Sequence, residues 1–290
     1  MMANKNWIVV DSPILSGAGP SFLGTAAIML SVRNLSFQYS GNTRKSLEAV
    51  TLDLPADTIT AVVGLSGAGK TTLLNLLGLL WDGAVEAEHM VYTDASDKVF
   101  DYLNRSAHRW DEVRLREFGF VMQSAHMLPH FTCRENIAMP LALQGVPYPE
   151  RRRRVARLLY AADPSGELHR LRDRLANQVS GGQRQRMAVL RALVHNPRIV
   201  FADEPLSNLD PLNAQRTLDL LLRWKTGRLG ARYNNGRCLV LVTHDVSLAW
   251  RYADRFAILR DGRLVGGEVA LHSDLIPGGG ESEIRRRMGC

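Results

Sequence analysis

Apolar and polar residues alternate from Leu30 to Leu35 and again from Leu47 to Leu54, the period of half-buried strands. Thr58–Val63 is a short β-rich run ending at Gly64, and a helical pattern follows from Lys70 to Leu80. Residues 82–112 are polar and irregular, with one strand expected at Ala87–Thr93. Phe118–Met122 reads as a strand, and Cys133–Leu143 and Glu150–Ala162 read as helices. Gly181–His195 is a further helix, followed by the apolar strand Arg198–Ala202. Pro211–Lys225 is helical, Thr226–Arg237 is a Gly/Asn-rich loop, and Cys238–Thr243 is a strand. Arg255–Leu259 and Arg263–Val269 flank Asp261-Gly262, a pair suited to the positive φ angles of a tight hairpin. The glycine-rich tail from Pro277, with Arg285, Arg286 and Arg287, is expected to be mobile.

Strands alternating with helices predict an α/β fold: a mainly parallel sheet core with helices on both faces. The opening strands predict an antiparallel β subdomain, and the helices within about 124–180 predict a helical subdomain. The main domain is expected over 29–270, between an N-terminal extension at 1–28 and a tail at 271–290. No internal repeat or coiled-coil heptad is present.

Composition narrows this picture only a little. At 46% hydrophobic and 22% charged residues, the 290-residue chain is globular in type, neither disordered nor collagen-like. A net charge of +7 is compatible with a phosphate-rich ligand, nucleic acid or an anionic membrane face. The three cysteines, Cys133, Cys238 and Cys290, are far apart and form no CxxC pair, so neither a disulfide framework nor a zinc ribbon is expected. Ser12–Val32 carries no charge, but Pro13, Gly17, Gly19, Pro20 and Gly24 make it a poor membrane span. With Lys5 before it, it loosely resembles a signal-peptide apolar region, and a plain extension is the preferred reading. The Arg151–Arg154 run spreads around a helix rather than forming one stripe, which favours a solvated face over nucleic-acid binding.

The chemistry sits in the loops. Gly64-Leu65-Ser66-Gly67-Ala68-Gly69-Lys70-Thr71 satisfies the phosphate-loop pattern GxxxxGK(S/T) between a strand and a helix. Its glycines let backbone N–H groups converge on phosphate oxygens, and the helix N-terminus adds positive potential. Lys70 is expected at the β- and γ-phosphates and the Thr71 hydroxyl on Mg²⁺, with Thr72 also at the nucleotide. Asp203 and Glu204 end a buried-type strand, where ligands bind in such sheets: Asp203 for Mg²⁺ and Glu204 for the attacking water. Ser180-Gly181-Gly182-Gln183 opens a helix with an N-cap residue and two glycines, a start suited to an anion.

The order of these motifs resembles the ATP-binding-cassette (ABC) ATPases over about residues 30–266. Their signature begins LSGGQ, with Val179 here in place of the leucine. The resemblance implies a glutamine loop at Gln123 that senses Mg²⁺, a loop at Ser207-Asn208-Leu209-Asp210 coupling two ATP sites, a switch histidine at His244, and an adenine-stacking aromatic at Tyr39. It also implies a head-to-tail dimer in which Ser180 grasps the partner's ATP. Leu206, Ala68 and the segment 82–112 depart from the pattern without removing a catalytic group.

Gln123–Thr132 and Glu135–Leu141, with Gly145-Val146-Pro147 beyond, are similar to ATPases of lipoprotein-release, macrolide-export and cell-division systems. The reading is therefore an ATP-hydrolysing transporter subunit using ATP and Mg²⁺, dimeric, and peripheral on the cytoplasmic face of the cell membrane beside a separate permease. Apolar residues between Met127 and Leu143 are candidates to receive that permease, and no nucleic-acid partner is expected. The alternatives are an importer cassette and a soluble ABC-type ATPase acting on nucleic acid or ribosomes. Long coiled coils or paired cassettes, which mark the soluble group, are not seen.

Overall fold

The computed structural model describes residues 27–81, 85–104, 107–229, 236–267, 269–275 and 279–290. Almost all of the expected N-terminal extension therefore lies outside the described residues. In chain order the elements are β1 (Ile28–Phe37), β2 (Leu47–Pro55), β3 (Ile59–Gly64), α1 (Lys70–Leu77), β4 (His89–Thr93), β5 (Val99–Asp101) and α2 (Ala107–Glu117). They continue with β6 (Phe118–Val121), α3 (Cys133–Leu143), α4 (Tyr148–Ala162), α5 (Glu167–Arg170), α6 (Gly181–Leu193), β7 (Ile199–Asp203) and α7 (Pro211–Lys225). The chain closes with β8 (Cys238–Val242), α8 (Val246–Tyr252), β9 (Arg255–Arg260), β10 (Arg263–Leu264), β11 (Ala270–Leu271), α9 (His272–Leu275) and α10 (Glu281–Met288).

Two sheets form. β2-β1-β4-β5 is antiparallel, and the larger sheet runs β10-β9-β3-β8-β7-β6, with β11 also paired to β9. In the larger sheet β3, β6, β7, β8 and β9 are mutually parallel. Every residue of β3, β7 and β8 is buried, as expected of parallel strands covered on both faces. Their alternation still matters. Ala61, Val63, Val200, Leu239 and Leu241 face a core shared with α3, α4, α6, α7 and α8. Val62, Ile199, Phe201, Val240 and Val242 face the opposite way, onto α1 and the antiparallel sheet.

Asp261 and Gly262 have φ of 50° and 79°, the double positive turn the sequence implies. α1 stops at Leu77 rather than Leu80: Leu79 turns left-handed at φ 58°, and the cap Gly78 is a glycine where a Cβ would come within 2.5 Å of Phe120. Two expectations are corrected. Part of the polar stretch before Phe118 is the helix α2, which sets Val113 into the core and packs Trp110 edge-on against Tyr102 at 4.7 Å. The C-terminal tail is not a mobile end: α10 buries Ile284 and Met288 against the main core and its Glu283 pairs with Arg286 and Arg287. No helix among the described residues is long and apolar enough to cross a membrane.

Candidate functional site

β3 delivers the chain at Gly64 to the carboxyl edge of the parallel sheet, where the phosphate loop turns into α1. Gly69 takes φ 99° with no side-chain cap, and a Cβ there would sit 2.7 Å from the Ser46 carbonyl oxygen. Glycine is thus required for both conformation and close approach. Lys70 Nζ donates to the Gly64 and Leu65 carbonyls, each at 2.9 Å, so the ammonium is held over the loop.

β7 and β8 bring the remaining groups to the same edge. Thr71 Oγ1 donates to Asp203 Oδ2 at 2.8 Å, while Asp203 Oδ1 is buried with no hydrogen-bond partner. Burial pushes the Asp203 carboxyl above its usual value, with the neighbouring Glu204 adding to the rise and Thr71 and Lys70 opposing it. An orphaned carboxylate oxygen beside a threonine hydroxyl is a donor set that fits a hard divalent cation. Among the described residues no group of three or more His, Cys, Asp or Glu side chains could hold a metal. Such a cation would therefore take its remaining ligands from phosphate and water, as Mg²⁺ commonly does.

Glu204 takes φ 47°, and its N–H donates to the Val242 carbonyl at 3.0 Å. A left-handed conformation at a non-glycine residue is costly and is held here by that bond to β8. It aims the carboxylate at His244, whose Nδ1 lies 2.8 Å from Oε2 and 2.9 Å from Oε1. Ser66, Gly67, Gly69, Lys70, Thr71, Thr72, Gln123, Asp203, Glu204 and His244 line one cleft of about 800 Å³.

Other expected site residues stand elsewhere. Gly64, Leu65 and Ala68 shape the loop without lining the cleft. The Tyr39 ring meets Phe37 at 4.9 Å and Trp81 at 5.2 Å, both edge-on, and its hydroxyl lies 3.2 Å from Thr72 Oγ1. Tyr39 thus adjoins Thr72, is partly exposed, and does not itself line the cleft. Ser180, Gly181, Gly182 and Gln183 open α6 away from the cleft, with Ser180, Gly181 and Gln183 less than fully buried. Asp210 caps α7, accepting from Asn213 N at 3.0 Å and Nδ2 at 2.6 Å.

The cleft also has walls that the sequence reading omits: Asn42–Ser46 between β1 and β2, and the hairpin tip Asp261-Gly262. Arg44 reaches Asp261 at 3.3 Å, and Lys45 reaches Glu86 at 2.7 Å. Adjacent cations in a Ser/Gly/Asn/Thr loop were the available signal. Gln185 is another omission. Buried on α6, it donates to the Met122 and Pro205 carbonyls, both at 3.1 Å, and so ties the segment before Gln123 to the turn after Glu204.

A glycine-rich loop between a parallel strand and a helix, with an acid-ended strand beside it, defines a P-loop nucleoside triphosphatase. More narrowly, the chain belongs to the ABC transporter family, whose pattern matches residues 47–207, and is an ATPase of that family. It is 39% identical over 239 residues to the lipoprotein-releasing system ATP-binding protein LolD of Pseudomonas fluorescens, spanning 82% of this chain and 97% of that protein. It is 35% identical over 219 residues to the macrolide export ATP-binding/permease protein MacB of Brucella abortus, spanning 76% of this chain and 31% of that one. Its fold is similar to a dimeric ATP-binding cassette in a post-hydrolysis state bound to ADP and Pi, with TM-score 0.67 and 29% identity, covering 81% of this chain and 96% of that one. Use of ATP and Mg²⁺ goes with family membership.

Proposed function

We propose that the protein is the ATP-hydrolysing subunit of an export or mechanotransmission system, working as a head-to-tail dimer on a separate permease at the inner face of the cell membrane. The observation that carries this reading is the separation of two anion-ready helix starts. One lies inside the cleft with Lys70, and the other, at Ser180, lies outside it. A second copy could bring its Ser180 to this cleft.

Lys70 and the loop N–H groups hold the β- and γ-phosphates. Mg²⁺, held by Thr71 and Asp203 with Gln123 nearby, would neutralise charge on the phosphates. Glu204 accepts a proton from the attacking water, and His244, already in contact with Glu204, orients that carboxylate and meets the γ-phosphate. Tyr39, beside the lining residue Thr72, is the aromatic on which the adenine would stack. The partner's Ser180 closes the site, and Asp210 lies on the same dimer face. Closing and reopening would drive the permease.

Relatives named for lipoprotein release and macrolide export support an export-type partner. Affinity purification from membranes tests it. Recovery of an integral membrane protein with the ATPase is expected, whereas recovery with ribosomes or DNA would replace this reading with a soluble one.

A further inference from the structure

We propose that Glu167, on the helical lobe, is a positioning residue that sets the amide of Gln183 and thereby prepares Ser180 to receive phosphate. The proposal rests on the reading that Ser180 acts in the partner's site. Glu167 stands at the start of α5, and its Oε1 accepts from Gln183 Nε2 at 3.0 Å. The same carboxylate is held by Arg186 at 2.9 Å and 3.3 Å, and Arg216 of α7 approaches at 3.5 Å. One carboxylate therefore joins α5, α6 and α7. Its hydrogen bond with Arg186 is the main cause holding it below the usual carboxylate value, so it is an acceptor at neutral pH.

The chemistry lies in the two ends of an amide. Only the NH₂ end of Gln183 can face a carboxylate, so its oxygen must face the other way. There Gln183 Oε1 accepts the Ser180 N–H at 3.0 Å, while the Gln183 N–H donates to Ser180 Oγ at 3.2 Å. Both N–H groups are thus occupied, and the Ser180 hydroxyl keeps its own proton to donate outward. Gly181 and Gly182 belong to the first turn, whose N–H groups have no intrahelical partner. Nothing lies within 4 Å of where a Gly181 Cβ would be, so this side of the turn is open. The result is a docking face made of the Ser180 hydroxyl proton and the first-turn backbone at the exposed Gly181, with Gly182 buried against Asn213 behind it. Without Glu167 the Gln183 amide is free to flip, which would set its NH₂ against the Ser180 N–H and open the cap.

Two substitutions separate the acceptor from the charge. Glu167→Gln keeps an oxygen for Gln183 Nε2 but removes the charge opposite Arg186. Glu167→Asp keeps the charge but shortens the reach to Gln183. Each is placed in a Glu204→Gln background, and MgATP-driven dimerisation is followed by gel filtration alongside the thermal midpoint. Glu167→Asp is expected to weaken dimerisation about tenfold, the effect of losing one cap-strength interaction, with nucleotide binding to the monomer unchanged. Glu167→Gln is expected to dimerise as the parent does while its thermal midpoint falls. Dimerisation that follows the charge, with Asp normal and Gln defective, would overturn the positioning role. So would a parallel fall of dimerisation and thermal midpoint in both variants. Ser180→Arg in the same background is the control. If it dimerises normally, the partner-site reading itself fails; if it does not while Glu167→Asp does, only the role of Glu167 fails.

Discussion

The helix beginning at Lys70 and the helix beginning at Gly181 are both preceded or opened by glycine, yet their first turns are finished differently. Gly69 stands before the first in a left-handed conformation and offers no side-chain cap, so the turn's N–H groups are left to the loop and its ligand. Ser180 stands before the second in extended geometry and closes a reciprocal capping box with Gln183. The first start is walled in by Asp203, Glu204, His244 and the Asn42–Ser46 loop. The second lies outside that cleft. An uncapped start inside a cleft can enclose an anion, whereas a capped start on a surface stays ordered until an anion arrives from another molecule.

Breaking the enclosed start should have the largest effect. Lys70→Ala removes the charge over the loop, and loss of measurable ATP binding and hydrolysis is expected by nucleotide titration and phosphate release. Normal turnover in the folded variant would end the assignment. Glu204→Gln comes next. Removing a general base typically costs about 10²–10⁴ in rate, while ATP still binds, so an ATP-bound dimer should accumulate on gel filtration with MgATP. A variant that hydrolyses normally and stays monomeric would take Glu204 out of the catalytic role.

Ser180→Arg tests the surface start directly. It places bulk and charge where the partner's phosphate would dock, so dimerisation should be lost and nucleotide binding to the open subunit retained. Cysteines at Ser66 and Ser180, with Cys133, Cys238 and Cys290 removed, should crosslink between subunits only with ATP; a crosslink confined to one chain would defeat the partner-site geometry.

A smaller effect sharpens the comparison, because α3 carries the same kind of cap. Thr132 and Glu135 close a capping box there, with Glu135 N donating to Thr132 Oγ1 at 3.2 Å. Ser180→Ala and Thr132→Ala should each cost roughly 0.5–2 kcal/mol in denaturant unfolding. Only Ser180→Ala should also lower turnover; equal turnover would make the Ser180 hydroxyl a cap and nothing more.

The least effect is in pH. Hydrogen bonds from Thr132 hold the Glu135 carboxyl below its ordinary 4.5. A carboxyl lowered on folding gives its full stabilisation above the ordinary value and loses it as pH falls through the depressed one. The α3 box, whose own carboxyl titrates, should therefore loosen on acidification below pH 4.5, whereas the α6 box is closed by the amide of Gln183 and responds to acid only through Glu167, whose carboxyl the Arg186 hydrogen bond also holds below its ordinary 4.5. In Glu167→Gln, protection of the Glu135 and Gln183 amides relative to their intrinsic exchange, followed from about pH 5 to about pH 3, isolates the difference: only Glu135 should lose protection. Equal loss of protection at both amides in that variant would remove it.

Much of this protein could be read from neighbours in the chain. α3 and α7 run over Cys133–Leu143 and Pro211–Lys225 as the periodicity requires, and the Asp261-Gly262 turn has the expected angles. The phosphate loop, the acids Asp203 and Glu204, and the Ser180 cap are equally local, because each depends on a few consecutive residues and the turn they must form. Only the tertiary structure made Trp110 and Val113 enough to seat α2, since a mostly polar helix shows its buried side only when Tyr102 and the core stand opposite it. The same holds for α10, for Tyr39 set beside Thr72, for the Arg44–Asp261 contact and for Glu167 meeting Gln183. These are pairings between residues distant in sequence. Their partners become neighbours only when the strands order and the helices pack, and no period or short motif along the chain encodes which partner that will be.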